Sequence, residues 1–232
     1  MLARLATAFL ATSLVVFGST AAARPAAASN GLTTAVVAPD FMTSAAGVAY
    51  DRVRSAGATA VRIMVYWNRV SPRRPNDPID PRDPAFHWGD TDRAVRLAVQ
   101  KGLQPIVDFL GTPSWAAGPG LPSAKSPSPV DLGQFAKAAA SRYSGSFSNL
   151  PRVRYWQVWN EPNLTLYLTP QQSGGQPVSP GWYRDMVNRF ADGVKSIHPD
   201  NLVIAGGTSP FGNSVSLTPL RFIELAIQGD WV

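Results

Sequence analysis

One short segment of this chain carries residues suited to acid–base chemistry. The apolar run Val153–Trp159 predicts a buried strand, and Asn160 and Glu161 follow at its C-terminal end. Glu161 is one of two glutamates in 232 residues, the other being Glu224. In parallel barrels, catalytic side chains come from the C-terminal ends of the strands. We therefore expect Glu161 to be a catalytic carboxylate.

The surroundings of Glu161 suit the cleavage of a glycosidic bond. That reaction uses two carboxylates that flank the sugar, and the one that acts first as an acid is favoured by an aromatic, poorly solvated environment. Trp159 lies two positions before Glu161, on the same predicted face, and Tyr155 and Trp156 are close by in sequence. The pattern predicts that Glu161 protonates the glycosidic oxygen and that Asn160 hydrogen-bonds a sugar hydroxyl.

Short β-like runs alternate with amphipathic helices along the chain. Five strands are predicted, at Thr34–Ala38, Thr59–Tyr66, Leu103–Leu110, Val153–Trp159 and Leu202–Ala205. Helices are predicted at 44–55, 90–101, 130–143, 179–198 and 220–228. Five βα units at a spacing of about 40 residues predict a parallel sheet with covering helices. The pattern alone fits both a doubly wound open sheet and part of an eight-stranded barrel.

Three stretches resemble a known group of enzymes. The sequence Trp159-Asn160-Glu161-Pro162-Asn163 resembles the strand-four signature of clan A glycoside hydrolases, the retaining (β/α)8-barrel group that includes families 5 and 39. Val61-Arg62-Ile63 with Trp67 is similar to the strand-two element of that clan, and Thr112–Ala116 is similar to its strand-three loop. The similarity covers Val36–Leu225. It implies an α/β fold, a TIM barrel of which about five of eight βα units are present.

The resemblance implies roles for seven residues. Glu161 becomes the general acid/base, Asn160 the ligand of the sugar 2-hydroxyl, and Arg62 a support for the nucleophile. The substrate would be a β-linked polysaccharide or glycoside, and neither a cofactor nor a metal is implied. The remaining candidate substrate contacts are Trp67, Trp115, Trp159 and Asn163, with core packing as the alternative for the three tryptophans.

The second carboxylate of the clan is missing from its expected place. In clan A the nucleophile is a glutamate at the end of strand seven, whereas Glu224 falls in the last predicted helix. There Leu220, Ile223 and Ala226 are expected to pack, and Glu224 to face solvent. Asp108 lies within the third strand and either supports the site from the barrel interior or faces a loop. The chain thus resembles a barrel without about three βα units, and we expect it to be poorly active alone.

The N-terminus predicts export. Residues 1–28 have the pattern of a signal peptide, with a membrane anchor as the alternative, and residues 29–232 form the N-terminal part of the catalytic domain. The expected protein is secreted and has no membrane contact after cleavage. The chain has no cysteine, so disulfides are excluded.

Charge and acidic residues indicate no other ligand. The net charge is +6, and the arginines are scattered, which does not favour nucleic-acid binding. The Asp-rich loop Asn76–Pro84 is expected to be a rigid polar loop, with calcium binding as the alternative. The oligomeric state is not indicated.

Two other functions are compatible with these patterns. One is a non-catalytic carbohydrate-binding protein, or a degenerate fragment of such an enzyme, that keeps the aromatic floor of the barrel. The other is an exported open-sheet protein unrelated to sugars, in which Glu161 caps the turn that follows it.

Overall fold

The computed structural model describes residues 33–118 and 125–229, so the predicted signal peptide at 1–28 lies outside the described residues. The strands are β1 (Ala35–Val37), β2 (Ala60–Tyr66), β3 (Gln104–Leu110), β4 (Tyr155–Val158), β5 (Gln172–Ser173), β6 (Gln176–Pro177) and β7 (Leu202–Ala205). The helices are α1 (Ala46–Ser55), α2 (Trp67–Val70), α3 (Gly89–Gln100), α4 (Pro129–Arg142), α5 (Ser179–Lys195) and α6 (Pro219–Ala226). The five predicted strands and five predicted helices are therefore confirmed. The short helix α2 and the antiparallel pair β5–β6 were not predicted.

The order of the strands decides the architecture. The main sheet has the order β1-β2-β3-β4-β7, and every pair in it is parallel. Because crossovers between parallel strands are right-handed, a sheet order that follows the chain order places the connecting helices on one face. A doubly wound sheet instead reverses its strand order partway and carries helices on both faces. The described chain is thus five of the eight βα units of a TIM barrel.

The core lies between the sheet and its helices. Along β2 the side chains of Val61, Ile63 and Val65 are buried on the helix-facing side, as strand alternation requires. Phe135 of α4 lies at the centre of this core. Its ring is stacked 5.3 Å from that of Trp67 and meets Phe109 edge-on at 4.8 Å. Aromatic packing of this kind joins α2, which directly follows β2, and β3 to α4.

The opposite face of the sheet is the one that would line the barrel. Arg62 and Met64 alternate onto it, and the register places Met64 beside Asp108, which in turn lies beside Gln157. At the two edges of the sheet Val37 and Leu202 are exposed. The interior surface is therefore only partly covered by the described residues, and polar side chains lie at its centre.

The packing of α6 differs from the prediction. The buried side chains are Phe222 and Ala226, whereas Leu220 is 68% exposed and Ile223 46% exposed. Phe222 lies 5.7 Å from the ring of Tyr183 on α5, and Ala226 follows one helical turn later on the same face. The predicted packing of Leu220 and Ile223 was wrong because periodicity alone admits two faces of this helix. The predicted exposure of Glu224 is confirmed.

None of the described helices is long and apolar enough to span a membrane.

Candidate active site at the ends of β2, β3 and β4

Three polar side chains from neighbouring strands meet on the interior face. Arg62 of β2 donates from Nη2 to Asp108 Oδ2 of β3 at 2.6 Å, and its Nε lies 3.2 Å from the same oxygen. The same Nη2 donates to Asn160 Oδ1 at 2.7 Å. Asp108 has no exposed surface, and the Arg62 side chain is 22% exposed. One guanidinium therefore connects a buried carboxylate to the residue that precedes Glu161.

Burial dominates the electrostatics of Asp108. It raises the pKa of the carboxyl group to about 7, although the charge and hydrogen bonds of Arg62 act in the opposite direction. Within the described part of the chain, Asp108 Oδ1 has no hydrogen-bond partner. The prediction left open whether Asp108 faces the interior or a loop, and the structure places it in the interior.

The backbone at the end of β4 is unusual on both sides of Asn160. Trp159 has φ +67° and Glu161 has φ +40°, in the left-handed region that side-chain-bearing residues rarely adopt. Trp159 is held there by a bond from its backbone N–H to Phe109 O at 3.0 Å and from Nε1 to Tyr167 O at 2.8 Å. Such conformations persist only where the surroundings impose them, and they concentrate at functional sites. This turn also explains why β4 ends at Val158, one residue before the predicted end.

The end of β7 is packed against this turn. The hydroxyl group of Tyr183 donates to Val158 O at 2.8 Å and accepts the N–H of Gly206. A β-carbon at position 206 would lie 2.6 Å from Trp159 O and 2.8 Å from Val158 O, which only glycine avoids. Burial raises the pKa of Tyr183 above its ordinary range, so the group stays a neutral phenol. Gly206 and Tyr183 thereby fix the position from which Glu161 projects.

Two tyrosines that the sequence analysis missed join this cluster. Burial raises the pKa of Tyr167, and the nearby Glu161 carboxylate raises it further. Tyr66 also raises it, whereas the side chains of Asn160 and Arg62 lower it. Tyr167 lies in the loop after β4, and its position six residues after Glu161 was the only signal that could have found it.

A cavity lies at the same end of the parallel sheet as Glu161. It has a volume of about 690 Å³ and extends across the C-terminal ends of β1 and β2. Tyr66 lines it, whereas the described side chains of Arg62, Asp108, Asn160 and Glu161 are not among its lining residues. Apolar and polar side chains both line the cavity, among them Met42, Met64, Tyr66, Arg69 and His87.

The three candidate tryptophans occupy different environments. Trp67 and Trp159 are fully buried, so the structure places them in the core, and the predicted sugar contacts of these two side chains are corrected. Trp115 keeps exposed surface, donates from Nε1 to Ser71 O at 2.8 Å and has the guanidinium of Arg74 4.9 Å from its ring centre. Of the three, Trp115 alone keeps exposed surface, and Arg74 covers part of its ring.

The predicted substrate contact at Asn163 also needs correction. The side chain is fully buried, and its Nδ2 lies 3.2 Å from Ser209 O, 3.2 Å from Phe211 O and 3.0 Å from Leu217 O. Its Oδ1 accepts the N–H of Ser209 at 2.8 Å. Since both ends of the amide bind backbone, Asn163 joins the loop after β4 to the loop after β7.

The Asp-rich loop is organised by its own backbone. Asp83 accepts N–H groups from Asp77 at 2.8 Å and from Ala85 at 2.9 Å, and Asp80 accepts that of Arg82 at 3.0 Å. In residues 33–118 and 125–229, no group of three or more Asp, Glu, His or Cys side chains is arranged to hold a metal ion.

The fold and the site together define a class. A singly wound parallel sheet with an Asn-Glu pair at the end of its fourth strand is characteristic of TIM-barrel glycosidases. The family model for cellulase (glycosyl hydrolase family 5) matches residues 22–223, and the chain belongs to this family.

Solved structures share the fold at low sequence identity. A glucosidase from Croceicoccus marinus has a TM-score of 0.51 at 18% identity, covering 76% of this chain and 35% of its own. GH5_18 from Streptomyces cattleya in complex with GlcNAc has a TM-score of 0.50 at 18% identity, with 69% and 38% covered. A monomeric beta-xylosidase from Caulobacter crescentus CB15 has a TM-score of 0.50 at 16% identity, with 74% and 35% covered. This chain thus spans little more than a third of each of them, and no curated protein matches it.

Proposed function

We propose that this chain is the N-terminal part of a secreted glycoside hydrolase that cleaves β-linked glycosides with retention of configuration. Glu161 is the general acid/base of this proposal: it protonates the departing oxygen and then activates water. Asn160 orients the sugar through its 2-hydroxyl, and Trp115 stacks on a sugar ring. The observation that carries the proposal is the placement of Asn160 and Glu161 at the end of β4, with Asn160 held by Arg62.

The nucleophile of the proposed reaction lies outside the described residues. A retaining site needs a second carboxylate about 5 to 5.5 Å from the first. Glu224 is exposed on α6, where it lies 3.7 Å from Arg221, and Asp108 is fully buried against Arg62. Neither suits attack on a sugar, so we assign the nucleophile to later βα units of the barrel and expect the 232-residue chain alone to lack turnover.

Azide rescue of a Glu161→Ala variant tests the role of Glu161. The complete protein that contains this chain is assayed on aryl β-glycosides with a dinitrophenol leaving group, which departs without protonation. A general acid/base role predicts that azide restores turnover and that the product is a β-glycosyl azide, because azide attacks without a general base. Glu224→Gln, on an exposed helix face, is the matched control and should behave as wild type. A Glu161→Ala enzyme with unchanged hydrolysis, or with no azide product, contradicts the assignment.

A carbohydrate-binding protein without catalysis is the second candidate. It is favoured because neither Glu224, exposed on α6, nor Asp108, buried against Arg62, is placed to act as the second carboxylate. This alternative predicts glycoside binding that Glu161→Gln leaves unchanged, together with no turnover by the complete protein.

A further inference from the structure

We infer that Asp108 is a positioning residue, which holds Arg62 so that the amide of Asn160 presents its Nδ2 hydrogens to the substrate. This inference rests on the proposed function for the identity of the ligand. Its geometry rests on Arg62, Asp108 and Asn160, whose side chains form one chain of hydrogen bonds across β2, β3 and the end of β4.

The geometry of Arg62 is set by one oxygen. Asp108 Oδ2 accepts from both Nε and Nη2, and two bonds to one acceptor fix the plane and rotation of the guanidinium. The second hydrogen of Nη2 is then directed at Asn160 Oδ1. Because Asp108 has no exposed surface, water does not compete with Arg62 for its carboxylate oxygens.

The orientation of Asn160 follows from that contact. A carboxamide has an acceptor at one end and donors at the other, and the partners decide which end points where. With Oδ1 committed to Arg62, the NH2 group points away from the guanidinium, on the side where Asn160 also hydrogen-bonds the Tyr167 hydroxyl. A hydroxyl group at that position accepts a hydrogen bond, whereas a flipped amide would present an oxygen there and place NH2 against the cation.

Asp108 therefore controls which hydrogen bond Asn160 offers, although the two residues are far apart in sequence. If Arg62 lost this hold, its guanidinium could rotate, and of the two contacts that orient the amide only the one to Tyr167 would be left. The expected consequence is a loss of selectivity for the sugar 2-hydroxyl. A lower stability of the fold would not by itself produce this effect.

The chain contains a matched control pair. Asp92 accepts from Arg142 Nε at 2.8 Å and Nη2 at 2.5 Å, and from the hydroxyl of Tyr143 at 2.9 Å. This largely buried Asp–Arg pair lies between α3 and α4, on the outer side of the barrel. Asp92→Leu therefore removes a comparable ion pair without touching the three side chains of the site.

The test compares Asp108→Leu with Asp92→Leu by two measurements. The first is the NMR spectrum of the 15N-labelled protein, in which the side-chain amide signals of Asn160 are assigned through Asn160→Asp. The second is the affinity for phenyl 1-thio-β-D-glucoside relative to its 2-deoxy analogue. We expect Asp108→Leu to shift or merge the Asn160 signals and to reduce the preference for the 2-hydroxyl about tenfold, the effect of one hydrogen bond. Asp92→Leu should change neither.

Each outcome decides the inference. Asn160 signals that are unchanged in Asp108→Leu overturn it, whether or not the glycoside binds. If the wild-type protein binds neither glycoside, the proposed function is in doubt while the NMR comparison still decides the role of Asp108. If Asp108→Leu does not fold, Asp108→Asn keeps the shape and weakens the bond to Arg62. It should then cause a smaller shift of the same signals, and no shift overturns the inference.

Discussion

Arg62 donates to the side-chain oxygen of Asn160 at 2.7 Å, a contact between residues 98 positions apart in the chain. It joins the second strand to the end of the fourth and determines how the residue before Glu161 faces the barrel interior. Four predictions concern the contacts that hold this arrangement together.

Removing the Arg62 guanidinium should destabilise the fold more than removing the guanidinium of an exposed arginine. Arg62→Met leaves Asp108 buried without its partner, which costs about 3 kcal/mol of unfolding free energy. Arg152→Met is the control, because Arg152 Nη2 also lies 2.6 Å from a carboxylate oxygen, that of Asp200, but both side chains are exposed. Surface pairs contribute little. Urea unfolding measures both variants, and equal losses would show that burial does not set the strength of the Arg62 pair.

The stability contributed by Asp108 should fall as the pH rises. The pKa is about 7 in the folded state and about 4 in the unfolded chain, so between these values the folded state binds one more proton. The contribution is fully present below about pH 4 and is lost as the pH rises through 7. Asp108→Asn removes this titration, so the stability of wild type relative to the variant should decrease from pH 5 to pH 8. Urea unfolding at several pH values measures it, and a constant difference contradicts the raised pKa.

A methyl group at position 206 should disturb the turn that carries Glu161. In Gly206→Ala the new carbon would lie 2.6 Å from Trp159 O and 3.1 Å from the Tyr183 hydroxyl, so the end of β4 must move. We expect a loss of about 1 to 3 kcal/mol of stability and weaker glycoside binding. Gly207→Ala is the adjacent control, because nothing lies within 4 Å of a β-carbon there. Unfolding and calorimetric binding compare the two, and equal behaviour would refute the close approach.

Truncation of the Asn163 side chain should lower the stability of the fold and have little direct effect on glycoside affinity. Asn163→Ala leaves backbone groups of Ser209 and Leu217 without their buried partner, with an expected cost of about 2 to 3 kcal/mol. Asn213→Ala removes an exposed side chain whose Oδ1 accepts the N–H of Val215 at 3.0 Å, and should cost far less. Thermal unfolding compares the two variants. A stable Asn163→Ala protein that has lost glycoside affinity would instead support a direct substrate contact.

Several features of the site were accessible from local sequence. An apolar run followed by Asn-Glu-Pro predicts where a strand ends and which residue follows it. Both signals, strand periodicity and the following proline, depend on only a few neighbouring residues. The exposure of Glu224 was predicted correctly, although the packing face from which it was predicted agrees with the structure only at Ala226. The packing face of α6 could not, since Leu220 and Phe222 both suit a helix interface and only the position of α5 selects between them.

The sequence by itself determined the alternation of strands and helices and the position of Glu161 at a strand end, because these depend on the spacing of apolar residues along one segment. Tertiary structure alone decided that the sheet is singly wound, that Trp67 and Trp159 are buried, and that Asp108, Arg62 and Asn160 form one chain of hydrogen bonds. The physical reason is that periodicity reports which face of an element is buried. It carries no information about the partner, often dozens of residues away, that covers that face or satisfies a charge on it.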